Sequence, residues 1–228
     1  MIIYTMEQIK SVEIKSHLPQ MMSAISKELI DFANGKSVVP MPFHLNISES
    51  NGECHIKGGY NSNDALFVVK IATGFYANTQ YGLPPGDGLF IVCSKETGMI
   101  LAILCDAGYL TTLRTAVTAC IASTLPPWLT DRISIIGTGE LAKQVIEIMH
   151  QQYPNACISL WGRNKNKSAQ MQKNYPFIMH ESDLTTMIKK EGSLFPQQPV
   201  LLLSFMQITL LKRYTLLHLA LINRVNKK

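Results

Sequence analysis

The stretch RISIIGTGELAKQVIEIMH, residues 132–150, limits the possible folds of this chain more than any other. It opens with a short β-branched run, passes through a glycine turn, and continues with apolar residues three and four apart. ACISLW, after Pro154, reads as the next strand. Strand, helix and strand at this spacing predict a βαβ unit, the opening of a parallel nucleotide-binding sheet. The turn Gly137-Thr138-Gly139-Glu140-Leu141-Ala142 is G-x-G-x-x-A between strand and helix, the context that makes the pattern informative. Gly137 allows a tight turn, and Gly139, lacking Cβ, lets a pyrophosphate reach the backbone. Ala142 permits close packing of helix on sheet, and the first helical amides stay free for phosphate. The plainer reading is an ordinary strand-to-helix turn.

An absence argues for the type of dinucleotide. A site for NAD needs a carboxylate about 20 residues further on to bond the ribose hydroxyls. From Ile148 to His180 there is no Asp or Glu, and the second strand runs into Trp161-Gly162-Arg163-Asn164-Lys165. A guanidinium at Arg163 suits a 2′-phosphate, which it grips bidentately. NADP(H) is therefore expected in preference to NAD(H). The competing reading is a solvated basic loop.

The residues before this unit follow another pattern. Ile2 to Tyr4 reads as a strand, and Thr5 with Gln8 fits a capping box. Pro19 is expected to begin a helix that Gly35 stops. From Cys54 to Asp106 the pattern is of strands, with a hairpin turn at Lys95-Glu96-Thr97-Gly98. Thr111 is the expected cap of a helix through LRTAVTACIAS, which Pro126-Pro127 ends. The fold class expected is α/β: a Rossmann-type nucleotide-binding domain, incomplete at its C-terminus, preceded by an α+β substrate and dimerisation domain. The domains are 1–125, 126–200 and a hydrophobic tail, 200–228.

Composition removes several classes of function. Charged residues are 16% and the net charge is +5, against ~25% charged residues in average soluble domains. A scattered basic excess this small argues against nucleic acid. The acidic residues Glu7 and Glu13 and the lack of a basic leader argue against secretion, so a cytoplasmic protein is expected. Five cysteines without a CxxC pair read as reduced thiols. The six histidines show no HxxxH spacing, so no metal is expected. What remains is a set of basic residues in apolar surroundings. Lys57 and Lys70 lie on expected strands, and Arg114 lies in a mainly apolar helix. A lysine turned inward is costly unless it meets an anion; the alternative is snorkelling at a strand end.

At these residues the chain resembles the ornithine cyclodeaminase/μ-crystallin family, over about residues 1–180. The resemblance is densest in VVKIATGFYANTQYGLPPGDGL, TGMILAILCDAGYLTTLRTA, IIGTGELA and LWGRN. It implies a homodimer that acts on a small amino acid or cyclic imine by hydride transfer at Cα with a nicotinamide dinucleotide. By position, Lys70 corresponds to the lysine beside the reacting nitrogen and Arg114 to the guanidinium that clamps the substrate carboxylate. Thr115, Gly137, Thr138, Gly139 and Leu141 correspond to residues lining the cofactor, and Arg163 and Asn164 to its adenosine end. Two departures stand out: Pro42 occupies the place of a second carboxylate-binding arginine, and Leu141 that of a glutamine in the glycine turn.

From about Phe195 the pattern departs further. The family continues with a segment carrying a catalytic aspartate, whereas this chain reads PVLLLSFMQITLLKRYTLLHLALINRVNKK. Lys212, Arg213 and His218 interrupt that run, so no membrane span is expected. In a shifted reading frame, permitted codons for residues 213–228 spell a segment like the missing one, which implies a frameshift near residues 195–210. Asp183 lies too early to replace the aspartate. The alternatives are an enzyme weakened by this loss, a non-catalytic NADPH-binding μ-crystallin-like protein, or a decayed gene product.

Overall fold

The computed structural model describes residues 1–12, 14–124, 131–189 and 193–196. The chain forms two compact units, Met1–Thr111 and Thr112–Lys228. The boundary falls within a helix rather than at the diproline, and 125–130 lie outside the described residues.

The first unit opens with β1 (Ile2–Tyr4), α1 (Met6–Ser11) and α2 (Ile14–Ala33). The capping box forms: Thr5 N–H donates to Gln8 Oε1 at 2.9 Å, and Gln8 N–H to Thr5 Oγ1 at 3.3 Å. Pro19 does not begin α2 but lies inside it. A proline there removes one backbone hydrogen bond, and the long apolar run carries the helix past it. Gly35, at φ 72°, stops the helix with Gly35 N–H on Phe32 O and Lys36 N–H on Asp31 O, the paired bonds of a glycine C-cap.

Six further strands follow: β2 (Ser37–Val38), β3 (Phe43–Ile47), β4 (Gly52–Asn61), β5 (Leu66–Phe75), β6 (Gly86–Ser94) and β7 (Ile100–Leu104). They form a seven-stranded sheet in the order β1-β7-β6-β5-β4-β2, with β3 also paired to β4. All pairings are antiparallel except β1 with β7. The Lys95–Gly98 turn joins β6 to β7 with Gly98 at φ 71°.

Register sorts the side chains of this sheet, because direct cross-strand partners share a face. One face carries Ile3, Ile103, Ile91 and Val69 in one row and Leu89, Ile71, Ile56 and Phe43 in another. The opposite face carries Lys57, Lys70 and Phe90, then His44 beside His55. A polar cluster fastens α2 to β2 and β4: Asn61 Nδ2 donates to Asp31 Oδ2 at 2.9 Å and to Glu28 Oε2 at 3.0 Å. The Lys27 ammonium and the Asn61 amide together hold the Asp31 carboxyl down at about 2.

The helix that spans the boundary is α3 (Tyr109–Thr124). Its cap is Asp106, not Thr111: Leu110 N–H donates to Asp106 Oδ2 at 2.8 Å. Thr111 lies within the helix. Aspartate accepts from exposed helical amides as well as a threonine does, and the turn through Ala107 (φ 44°) and Gly108 (φ 83°) sets it one turn earlier.

The second unit continues with β8 (Arg132–Ile136), α4 (Glu140–Gln152), β9 (Cys157–Trp161), α5 (Lys165–Asn174), β10 (Ile178–His180), α6 (Leu184–Lys189) and β11 (Ser193–Pro196). The strands form a parallel sheet ordered β10-β9-β8-β11. That is the doubly wound arrangement, with its switch point between β8 and β11. Ile133, Ile135, Ile136, Ile158 and Leu160 are wholly buried, and so are Val145, Ile146 and Met149 of α4. Each contributes roughly 1.5–3 kcal/mol on burial, so this core positions the turn that follows β8. Ser123 of α3 lies 3.1 Å from the Tyr153 hydroxyl, joining α3 to α4. Among the described residues no helix is long and apolar enough to cross a membrane; the tail 200–228 lies outside them.

Candidate functional site

The carboxyl ends of β8 and β9 lie together in one sheet. Gly137, at φ 127°, turns the chain out of β8, and its N–H donates to Trp161 O at 2.8 Å. A side chain at this φ is strained, so the turn requires glycine. Gly139 is the N-cap of α4 with an extended backbone and no side-chain capping bond. A Cβ placed on Gly139 would meet nothing within 4 Å. The space beside Gly139, at the start of α4, is therefore open, as an anion cradle requires. Ala142 is wholly buried, which brings α4 close to the sheet, while Thr138 and Leu141 are half-buried beside it.

Gly162 completes this arrangement. A Cβ there would lie 2.5 Å from Thr138 Cγ2 and 2.7 Å from Ser168 Oγ. The end of β9 therefore packs directly on the glycine turn, and the next residues, Arg163 and Asn164, project from that junction into solvent. Asn164 caps α5 by accepting the Lys167 N–H at 3.1 Å. The glycine turn and Arg163 are each legible in the sequence on their own. The packing of Thr138 on Gly162 was not legible because it depends on strand register.

The basic residues fall in different units. Lys70 sits in mid-β5, half-buried, with its Nζ 5.7 Å from the Phe90 ring centroid. Its direct cross-strand partner is the exposed Lys57. Like charges directly opposite each other on one face oppose folding. Arg114 and Thr115 lie on the part of α3 that belongs to the second unit. The Arg114 side chain reaches solvent, yet desolvation by the protein around it lowers the guanidinium below its ordinary value.

Two aspartates have structural duties. Asp106 is wholly buried as the cap of α3, and Asp183 accepts the Thr186 N–H and hydroxyl, both at 2.7 Å, at the start of α6. The cysteines are free thiols, and burial pushes that of Cys120 up to about 11, far from a nucleophile's range.

One cluster escaped the sequence pattern. His44, Glu53 and His55 come together on the lysine-bearing face, their ligand atoms all within 4.8 Å of one another. Helical spacing rules do not find it, because one histidine arrives across a strand pair. The usable signal was Glu-x-His on a strand next to the Asn51-Gly52 turn, which folds His44 back beside them.

Residues 4–183 match the model of the ornithine cyclodeaminase/mu-crystallin family. An uncharacterized cyclodeaminase, y4tK, of Sinorhizobium fredii is 30% identical over 154 residues, covering 64% of this chain and 46% of that protein. The ketimine reductase mu-crystallin of Mus musculus is 21% identical over 164 residues, covering 68% of this chain and 52% of the relative. The chain thus spans about half the length of the curated relatives it matches. Among solved structures, an archaeal alanine dehydrogenase dimer with bound NAD superposes with TM-score 0.75 at 20% identity, covering 87% of this chain and 61% of that one. The Thermococcus litoralis Δ1-pyrroline-2-carboxylate reductase, in complex with NADH and L-proline, gives 0.73 at 19% identity, over 86% and 61%. At such identities the superpositions establish the fold.

Proposed function

This chain belongs to the ornithine cyclodeaminase/mu-crystallin family, and from that premise we propose that it binds NADP(H) in preference to NAD(H) and serves hydride transfer at the Cα of an amino acid or cyclic imine. The observation that carries the reading is the cradle at Gly139: an uncapped helix N-terminus facing open space, braced by Gly162. The dinucleotide, when bound, supplies the hydride carrier. The α4 amides receive its diphosphate, and Arg163, with no acidic residue nearby in the chain from 148 to 180, receives a 2′-phosphate. Thr115, Thr138, Leu141 and Asn164 line the cofactor in this reading.

The family resemblance assigns Lys70 to the substrate nitrogen and Arg114 to the substrate carboxylate, which a guanidinium grips through two parallel N–H donors. A second copy of the chain covers the apolar face of the first unit, where Ile3, Phe43 and Leu45 remain 55%, 58% and 47% exposed.

The test is a pair of titrations with NADPH and NADH, followed by NADPH oxidation in the presence of a cyclic imine carboxylate. NADPH binds at least tenfold tighter, and Arg163→Ala removes that preference by weakening NADPH alone. A charge-assisted bond is worth about 1.5–3 kcal/mol, or roughly 10- to 150-fold. Equal affinity for the two coenzymes in the unaltered protein overturns the preference, and binding without turnover leaves a coenzyme-binding protein.

A further inference from the structure

The histidine–glutamate cluster of the first unit has no part in the hydride-transfer reading, and its geometry is that of a metal site. The β3–β4 hairpin aligns His44 with His55 and Asn46 with Glu53. Residues two apart on a strand share a face, so Glu53 and His55 project together from β4 while His44 joins them from β3. The two imidazoles stack at 4.4 Å between centroids with 3° between their planes. Both Nε2 atoms address one carboxylate oxygen: Glu53 Oε2 lies 3.5 Å from His44 Nε2 and 3.1 Å from His55 Nε2.

Those spacings match a metal's requirements. Zinc bonds of about 2.0–2.2 Å at a tetrahedral angle separate neighbouring ligand atoms by roughly 3.3 Å. The two imidazole-to-carboxylate separations fall on either side of that value, and all three ligand atoms lie within 4.8 Å of one another. The second carboxylate oxygen, Glu53 Oε1, accepts a 2.6 Å bond from the Tyr76 hydroxyl. An outer hydrogen bond of this kind fixes a ligating carboxylate's orientation.

The cluster is also accessible. The side chains of His44, His55 and Glu53 are 51%, 35% and 31% exposed. A cleft of about 270 Å³, lined by Asn46, Ser48, Asn51, Gly52, Glu53 and Tyr76, opens beside the carboxylate. Two imidazoles and one carboxylate disfavour Mg2+ and Ca2+, which prefer all-oxygen shells, and suit a first-row transition ion.

We propose that His44, His55 and Glu53 bind one Zn2+ per chain, with Tyr76 as the residue that positions Glu53. The test uses untagged full-length protein and Co2+ as a spectroscopic stand-in. One equivalent of Co2+ gives visible ligand-field bands without the near-ultraviolet thiolate-to-cobalt band, and Zn2+ displaces it. His55→Ala lowers the affinity at least 100-fold, with circular dichroism checking the fold. Tyr76→Phe, which deletes one hydroxyl, lowers it roughly tenfold, the usual outer-shell effect, and still decides the matter if the histidine variant does not fold. No bound Co2+, a thiolate band, or affinity unchanged in these variants overturns the site.

Discussion

Two glycine-to-alanine changes in the second unit add the same single methyl group and have opposite expected consequences. At Gly139 the backbone is extended, with φ −87°, and the new Cβ meets nothing within 4 Å. Loss of an N-cap glycine costs at most about 1 kcal/mol, and the stiffer unfolded chain returns roughly 0.4–1, so stability barely moves. In the proposed cradle the same methyl stands where the diphosphate is to approach. Displacing a phosphate from its amide donors forfeits one or more charge-assisted bonds, about 1.5–3 kcal/mol each, or a 10- to 150-fold rise in the NADPH dissociation constant. At Gly162 the new Cβ lies 2.5 Å from Thr138 Cγ2 and 2.7 Å from Ser168 Oγ. Overpacking of this kind costs about 1–3 kcal/mol, a melting-temperature loss of roughly 2–4 °C per kcal/mol in a chain of this size. Adding Thr138→Ser removes the closer of the two clashing atoms, and part of the loss returns as a coupling above about 0.5 kcal/mol. Urea unfolding followed by circular dichroism and a fluorescence titration with NADPH read both quantities. A Gly139→Ala protein that binds NADPH as the parent does, or unfolds as early as Gly162→Ala, refutes the assignment of the cradle.

Replacing Asp106 with alanine removes the α3 cap and costs about 0.5–2 kcal/mol by urea unfolding, whereas Asp106→Asn keeps the acceptor and most of the stability. Asp31 has its carboxyl lowered from 3.8 to about 2, so its contribution is complete above about pH 4 and is lost as the pH falls through about 2; in Asp31→Asn this acid-dependent part of the urea midpoint disappears. Phe43→Glu places a charge on the apolar sheet face and turns the proposed dimer into a monomer by sedimentation velocity, and an unchanged sedimentation coefficient removes that face from the interface.

Legibility followed the range of the interactions involved. The β8–α4–β9 unit and its turn were readable because strand, glycines and amphipathic helix are adjacent in sequence and their periods differ. The capping box at Thr5 and the Gly35 stop were readable for the same reason. The strands β2 and β3 were missed: Pro40 and Pro42 interrupt the pattern, although Phe43, Leu45 and Ile47 alternate with His44 and Asn46. Thr111 displaced Asp106 as the expected cap because both residue types cap helices, and only the backbone turn chooses between them. The face that joins Lys57, Lys70, His44 and His55 depends on register between strands, which no local window contains.

The place of β8 bears on how the chain is made. This strand takes β9 along one side and β11 along the other, yet β9 begins at Cys157 and β11 only at Ser193. During synthesis one flank of an isoleucine-rich strand therefore waits, its amides and carbonyls unpaired, while the ribosome adds the whole intervening stretch. At about 5–20 residues per second that wait lasts some seconds, long enough for a stray extended segment to dock there first. A nascent chain stalled before residue 193 is accordingly the form most in need of a chaperone.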